Sequence, residues 1–217
     1  NPNVKIKYEK KSVQDYRERL TNALAAGQGP DIFELHNSWA PMFKNELSDV
    51  SSSLMSKSEY ADIFYPVIVS DMSTDKGLVG IPLEYDAITL FVNEDIFASS
   101  AKLPPTTWDE LRQLGSELTQ RGEKGLVLQS GVALGITENI DHWPEILGLM
   151  MIQNGVDLSE PVGGRIKDAL DFYLLFSKKD KVWDNSLPPS TLAFAREKVA
   201  MYFGPTRRAS EITQLNP

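Results

Sequence analysis

Apolar and polar residues follow two periods along the chain, and the pattern predicts strands and helices in alternation. Residues 4 to 9, VKIKYE, alternate apolar and polar side chains, as in a strand with one buried face. Five short apolar runs are also strand-like: IFEL, LVGIPL, AITLFV, GLVLQ and VAMYF. Strands that alternate with helices predict an α/β architecture with mainly parallel sheets.

Helical signals stand between these strands. Ser12 can cap a helix over residues 13 to 26, and Thr107 with Glu110 forms a capping box ahead of a leucine-periodic segment. Pro144 suits the first turn of a helix, and EILGLMMIQ behind it is apolar almost all round, which predicts deep burial. Further helices are predicted at residues 165 to 177, 190 to 197 and after GPTRRASEI.

Composition removes several classes of function. The 217 residues are 41% apolar and carry a formal net charge of −8, which argues against a nucleic-acid partner and against an anionic membrane surface. The chain has no cysteine, so disulfides, thiolate nucleophiles and cysteine-ligated metals are excluded. No apolar run approaches the roughly 20 residues of a membrane-spanning helix.

Four separate segments occur in this order along the chain: GQGPDIFEL, IPLEYDAITLFVNEDIF, LPPTTWDELRQL and KVAMYFGPTRRASEI. Together they resemble the extracellular solute-binding proteins of the maltose-binding type, the carbohydrate receptors of ABC importers. The resemblance implies a periplasmic-binding-protein-like α/β fold of type II, with two lobes and a ligand cleft between them. The family usually has elements before VKIKYE and beyond EITQLNP. The chain is therefore expected to be a fragment, with an incomplete first lobe (1–90) and most of a second (91–217).

The resemblance also implies a function. A non-catalytic receptor of this family captures a small carbohydrate by lobe closure, here expected about a crossover near residues 86 to 95, and delivers it to the permease subunits of an ABC transporter. Such a receptor is extracytoplasmic, either periplasmic or anchored to the cell surface, and is expected to be monomeric and to need no cofactor. Two alternatives stay open: a receptor for a peptide, polyol or other polar solute, and a glycoside-active enzyme with Glu138 and Asp86 as its carboxylates. The common hydrolase, nucleotide-binding and zinc-protease motifs are absent from the sequence.

The first set of candidate ligand-binding residues follows the IFEL segment. Trp39 could stack on the apolar face of a sugar ring, while Asn37 and Ser38 bind its hydroxyl groups. A structural role is also open, in which Trp39 packs against the following helix and Asn37 forms an Asx turn.

The second set lies in two places: between the predicted strands LVGIPL and AITLFV, and in the loop after the predicted strand GLVLQ. Asp86 would accept hydrogen bonds from sugar hydroxyls, with Tyr85 beside it, or it would cap backbone amides as a hinge carboxylate. The family places ligand contacts in the loop that here holds Glu138, Asn139 and Trp143. Trp143 could instead anchor the start of its helix.

The third set is the turn of Gly204 and Arg207. Many relatives have a ligand-stacking tryptophan where Arg207 stands. An arginine can stack on a ring, pair with the carboxylate of an acidic sugar, or only neutralise a neighbouring acid. A zinc site at Glu138, Asp141 and His142 is disfavoured, because the chain has two histidines, far apart in sequence. Trp108 and Trp183 are predicted to be structural.

Overall fold

The computed structural model describes residues 3–75 and 77–217. The chain divides into two compact units, Asn1–Glu84 and Tyr85–Pro217. We refer to them as the first unit and the second unit and describe each by itself. The lobe assignment made above, with its boundary at residues 90 and 91, stays a prediction.

Helices occur in both units, and the regular strands of the described residues lie in the second. The helices are α1 (Tyr16–Ala25), α2 (Lys57–Ile63), α3 (Pro66–Asp71), α4 (Glu94–Ser99), α5 (Trp108–Glu117), α6 (Trp143–Gln153), α7 (Gly164–Lys178), α8 (Ser190–Ala195) and α9 (Arg208–Leu215). The strands are β1 (Ile88–Val92), β2 (Gln120–Arg121), β3 (Val127–Val132) and β4 (Val199–Pro205). None of the helices in the described part combines the length and the apolar content that a membrane span requires.

The predicted strands VKIKYE, IFEL and LVGIPL are wrong for the described residues of the first unit. A single bridge between Ser73 and Leu78 is the extended pairing found there. Ile6 and Tyr8, on the face predicted to be buried, are 87% and 84% exposed. An alternating pattern selects a face to bury, but a strand exists only when a neighbour supplies its hydrogen bonds. The predicted Ser12 cap is also wrong, since α1 begins at Tyr16 after a left-handed Asp15.

The second unit is built on one four-stranded sheet in the order β1-β4-β3-β2. β3 and β4 are parallel, whereas β1 pairs antiparallel with β4 and β2 antiparallel with β3. The prediction of mainly parallel sheets is therefore wrong, and the sheet is mixed. The apolar run of β4, buried at every position, signals burial on both faces but carries no information about strand direction.

Helices cover this sheet through local signals that the sequence displays. The predicted capping box opens α5, where Thr107 Oγ1 accepts from the Glu110 amide at 3.2 Å and the Glu110 carboxylate accepts from the Thr107 amide. α6 begins beside Pro144 as predicted, but its predicted deep burial is wrong. Ile146 is buried while Ile152 is 57% exposed, because α6 packs on one side only, against α7 and the core.

Candidate functional site

The carboxyl ends of β3 and β4 lie at the same edge of the sheet because these strands are neighbours and parallel. β1 is antiparallel, so its amino end reaches that edge as well, and Ile88 pairs with Pro205. Segments 85–87, 133–143 and 206–208 therefore meet there. We call this place the strand-end corner and define it by Asp86, His142, Arg207 and Arg208. In open α/β sheets, ligands bind at the carboxyl ends of parallel strands.

Asp86 is held in the corner by donors on its own chain. Its Oδ1 accepts from the amides of Ala87 and Thr206, both at 2.8 Å, and from the Thr206 hydroxyl at 2.5 Å. Its Oδ2 accepts from Arg207 Nη1 at 2.8 Å. Burial raises the pKa of Asp86, but these hydrogen bonds outweigh burial and lower the pKa to about 2. The carboxylate is thus ionised at neutral pH and ties the start of β1 to the turn after β4.

Gly204 and Arg207 shape the turn that receives Asp86. A Cβ atom on Gly204 would lie 2.4 Å from Tyr202 Oη, so a larger residue there would have to displace a fully buried ring. The Arg207 side chain is 65% exposed and forms its ion pair with Asp86. Arg207 thus pairs with a neighbouring acid, which is one of its three predicted roles, and the two roles that involve a ligand stay predictions.

His142 and Arg208 form the inner part of the corner. Arg208 Nε donates to His142 Nε2 at 3.2 Å, and Arg208 Nη1 is paired with Glu211. Asp141 is engaged elsewhere, since its Oδ2 accepts from the amide and the hydroxyl of Thr191 at 2.9 and 2.7 Å. Among residues 3–75 and 77–217, no group of three metal-ligating side chains is assembled.

His142 gives the corner a pH dependence. Burial, together with the charge of Arg208, lowers the pKa of His142 below its usual value of 6.5, against a smaller opposing effect of Glu145 and Asp141. The unfolded chain therefore binds this proton more readily than the folded one, so the contribution of His142 to stability is present above pH 6.5 and is lost as the pH falls through the folded pKa. Protonation also makes His142 Nε2 a donor that faces the Arg208 donor.

We predict that the melting temperature falls from pH 7 to pH 5 by more in the wild type than in His142→Gln. Glutamine retains a side-chain acceptor for Arg208 but does not titrate. The measurement is thermal unfolding of both proteins at half-unit pH steps. Melting temperatures that fall by the same amount in both proteins across this range would show that His142 does not cause the acid sensitivity.

The loop after β3 contains the remaining candidates of the second unit. Glu138 is exposed, and its Oε2 accepts from the Thr137 amide at 3.1 Å. Asn139 is engaged on all sides by the 183–187 segment, including a 2.7 Å bond from Trp183 Nε1 to its Oδ1. Trp143 is half-buried and packs against the core at the start of α6, in the helix-entry position foreseen for it.

The two tryptophans predicted to be structural do pack within the second unit. Trp183 is 1% exposed. Trp108 stacks on Phe203 with ring centroids 5.3 Å apart and donates to Gln153 Oε1 at 2.6 Å. Both indoles therefore contribute to the frame that holds the sheet and its helices.

The candidates of the first unit lie on a 3₁₀ helix, Asn37–Trp39, instead of at the end of a strand. Trp39 is half-buried and contacts α1 rather than a following helix: its ring centroid is 6.3 Å from that of Tyr16, and Arg17 Cζ lies 5.7 Å from it. Asn37 Nδ2 donates to Asp71 Oδ2 at 2.6 Å. Ser38 Oγ lies 2.8 Å from Nδ1 of His36, the residue that caps this turn.

The structure thus brings Asp86 to the turn that contains Gly204 and Arg207. Tyr85 and Trp143 are the sequence neighbours of the corner residues Asp86 and His142. Tyr85 is 59% exposed. The sequence analysis did not predict the corner residue Arg208, nor Thr206, which donates to the corner residue Asp86. The signal for Thr206 was weak, because its partner Asp86 lies 120 positions earlier. Arg207 and Arg208 are adjacent arginines, but the Arg208 side chain is the less exposed of the two. The sequence alone does not show which of them is the more buried.

Comparison with known proteins identifies relatives over nearly the whole chain. The family described as bacterial extracellular solute-binding protein matches residues 1–213. An ABC transporter solute-binding protein from Thermotoga lettingae, bound with α-D-tagatose, is 24% identical with a TM-score of 0.76; the match covers 94% of this chain and 55% of that one. An ABC substrate-binding protein from Listeria monocytogenes, in complex with cycloalternan, is 19% identical with a TM-score of 0.74, over 94% and 54%.

A third relative is the maltose/maltodextrin-binding domain MalE from Bdellovibrio bacteriovorus, bound to maltotriose. It is 18% identical with a TM-score of 0.71, and the match covers 99% of this chain and 56% of that one. The chain thus spans little more than half the length of these structures. They confirm the predicted α/β, periplasmic-binding-protein-like fold.

Proposed function

We propose that this chain, which belongs to the bacterial extracellular solute-binding protein family, is part of a receptor that captures a small carbohydrate for an ABC transporter. The observation that carries the proposal is the strand-end corner, where polar and charged side chains converge at the carboxyl ends of two parallel strands. The saccharides bound to the related structures support carbohydrate as the ligand class.

Ligand contacts are proposed for the exposed candidates. Arg207, Tyr85 and Glu138 present exposed side chains, and Trp39 presents a half-buried indole. An indole or a guanidinium can cover the apolar face of a sugar, and a carboxylate accepts from its hydroxyls. Lobe closure, delivery to permease subunits, an extracytoplasmic location and a monomeric state belong to the same proposal, as does the absence of catalysis.

The proposal is tested by thermal shift with the full-length gene product that carries this sequence. The panel contains mono- and oligosaccharides, sugar acids, polyols and peptides. A ligand that binds only the folded state raises the melting temperature with its concentration. We expect a shift with at least one neutral saccharide and no release of products from it. A shift with peptides or polyols alone would contradict the carbohydrate assignment, and turnover of a glycoside would favour the enzyme.

For Trp39→Ala, we predict about five-fold weaker binding of that saccharide, because loss of one aromatic face removes on the order of 1 kcal/mol. Isothermal titration of both proteins gives the ratio of dissociation constants. Tyr8→Ala is the matched control, since it removes an aromatic side chain that is 84% exposed and outside the candidate set. Equal affinities for Trp39→Ala and the wild type would leave the indole only its packing against α1.

A further inference from the structure

The carboxylate of Asp86 has no acceptor position left for a ligand hydroxyl. A carboxylate offers about four lone-pair positions. Three donors converge on Oδ1, from Ala87 and Thr206, and Arg207 supplies Nη1 and a longer contact from its amide, at 3.4 Å, to Oδ2. All five contacts come from the chain itself. Asp86 is therefore saturated before any solute arrives.

The charge of Arg207 is correspondingly committed. Its guanidinium reaches solvent, with 65% of the side chain exposed, but Nη1 lies 2.8 Å from the Asp86 carboxylate. Arg208 is likewise paired, with Glu211. Each arginine of the strand-end corner thus has its own carboxylate, and Glu138 and Glu145 add exposed acidic groups nearby in the chain. The corner offers donors and planar faces without a net positive charge that would attract an anion.

We infer that Asp86 is a positioning residue that sets the charge selectivity of the ligand site by holding Arg207 in an internal ion pair. The inference rests on the proposed function and deepens it. Asp86 does not bind the solute directly. It orients the guanidinium and cancels its attraction for carboxylates, so the site prefers a neutral solute over the acidic form of the same solute.

The isosteric change Asp86→Asn separates these roles. The side-chain oxygen of asparagine still accepts from Ala87 and Thr206, so the turn keeps its frame. The amide nitrogen then faces Arg207 Nη1 as a second donor, and the guanidinium loses its partner. The released charge should attract an acidic solute.

The experiment measures dissociation constants by isothermal titration of the full-length gene product with matched solute pairs: each neutral saccharide with its uronic acid, each polyol with its aldonic acid, and each amidated peptide with its free acid. We expect the wild type to prefer the neutral member. We compare the ratio of the two dissociation constants, acidic member over neutral member. In Asp86→Asn, we expect this ratio to move toward the acid by about five-fold, near the upper limit for a partly exposed ion pair. In the double variant Asp86→Asn, Arg207→Gln, the ratio should return toward neutral.

Two further variants keep the inference falsifiable. Arg207→Gln changes an exposed side chain and should move the ratio further toward the neutral member, even if Asp86→Asn fails to fold. Glu117→Gln is the matched control, because it breaks an exposed ion pair with Lys102 (2.6 Å) away from the corner and should leave the ratio unchanged. A purely structural Asp86 would lower the melting temperature without moving the ratio.

The outcomes separate the inference from the proposed function. A wild type that prefers the acid, or a ratio that moves less than about two-fold in both Asp86→Asn and Arg207→Gln, overturns the inference while a carbohydrate receptor stands. Binding of polyols or peptides alone overturns the carbohydrate assignment. The ratio of acidic to neutral dissociation constants is then measured on the polyol or peptide pairs. Binding of no pair overturns both.

Discussion

Replacing Gly131 with alanine is expected to lower the free energy of unfolding by about 3 kcal/mol, at the upper end of the typical cost of overpacking, because the added Cβ atom would clash with backbone. A Cβ atom at this position in β3 would lie 2.0 Å from the carbonyl oxygen of Gly115 in α5 and 2.7 Å from its Cα. Both atoms belong to backbone, so no side-chain rotation relieves the clash. The helix would have to move away from the sheet.

The neighbourhood leaves little room for that movement. Thr119 Oγ1 accepts from the Gly131 amide at 2.9 Å and donates to the Gly115 carbonyl at 2.6 Å, which fixes the close approach of α5 and β3. Urea denaturation of Gly131→Ala against the wild type measures the loss. Gly164→Ala is the control, since a Cβ atom at that position meets nothing within 4 Å. A loss below about 1 kcal/mol for Gly131→Ala would contradict the tight contact.

Asn139→Ala is expected to destabilise the second unit by about 2–3 kcal/mol. Asn139 Nδ2 donates to the carbonyl oxygens of Asp184 and Leu187 at 3.1 and 2.9 Å, and its Oδ1 accepts from Trp183 Nε1. The indole of Trp183 is buried, so its N–H would lose its partner without gaining water. A buried donor left unsatisfied costs about 1–3 kcal/mol.

A double-mutant cycle with Trp183→Phe isolates this bond. In the phenylalanine background, Asn139→Ala should be less destabilising by about 1 kcal/mol, since no indole donor remains to be left unpaired. Asn154→Ala is the matched control, because its amide makes a single exposed bond to the Arg165 carbonyl. Unchanged stability combined with weaker saccharide binding would instead assign Asn139 to the ligand, as the sequence analysis proposed.

The two roles predicted for Asp86 show how far a sequence can locate a site without defining its chemistry. A charged residue between two apolar strands marks a position that must find polar partners, and that requirement is visible from the residues alone. Which partners satisfy it depends on the antiparallel pairing of β1 with β4, which brings Thr206 and Arg207 to the carboxylate. The same holds for His142, whose partner Arg208 lies 66 positions later.

The sequence alone determined the features whose physical causes are local. The capping box at Thr107, the proline at the start of α6, and the apolar runs that form β1 and β4 act over a few residues, and the structure confirms them. The collinear motifs also indicated the family, which the match over residues 1–213 confirms. Two of the four motifs mark places where a strand turns into a helix, β1 into α4 and β4 into α9.

Tertiary structure alone decided the direction and pairing of the strands, the failure of VKIKYE to form one, and the partners of each candidate side chain. These depend on contacts between residues far apart in the chain. The periodicity of a segment selects the face it buries, but the neighbour that covers that face is chosen by the packing of the whole unit. The strand-end corner is the clearest case, because its four defining residues come from three separate segments that only the sheet brings together.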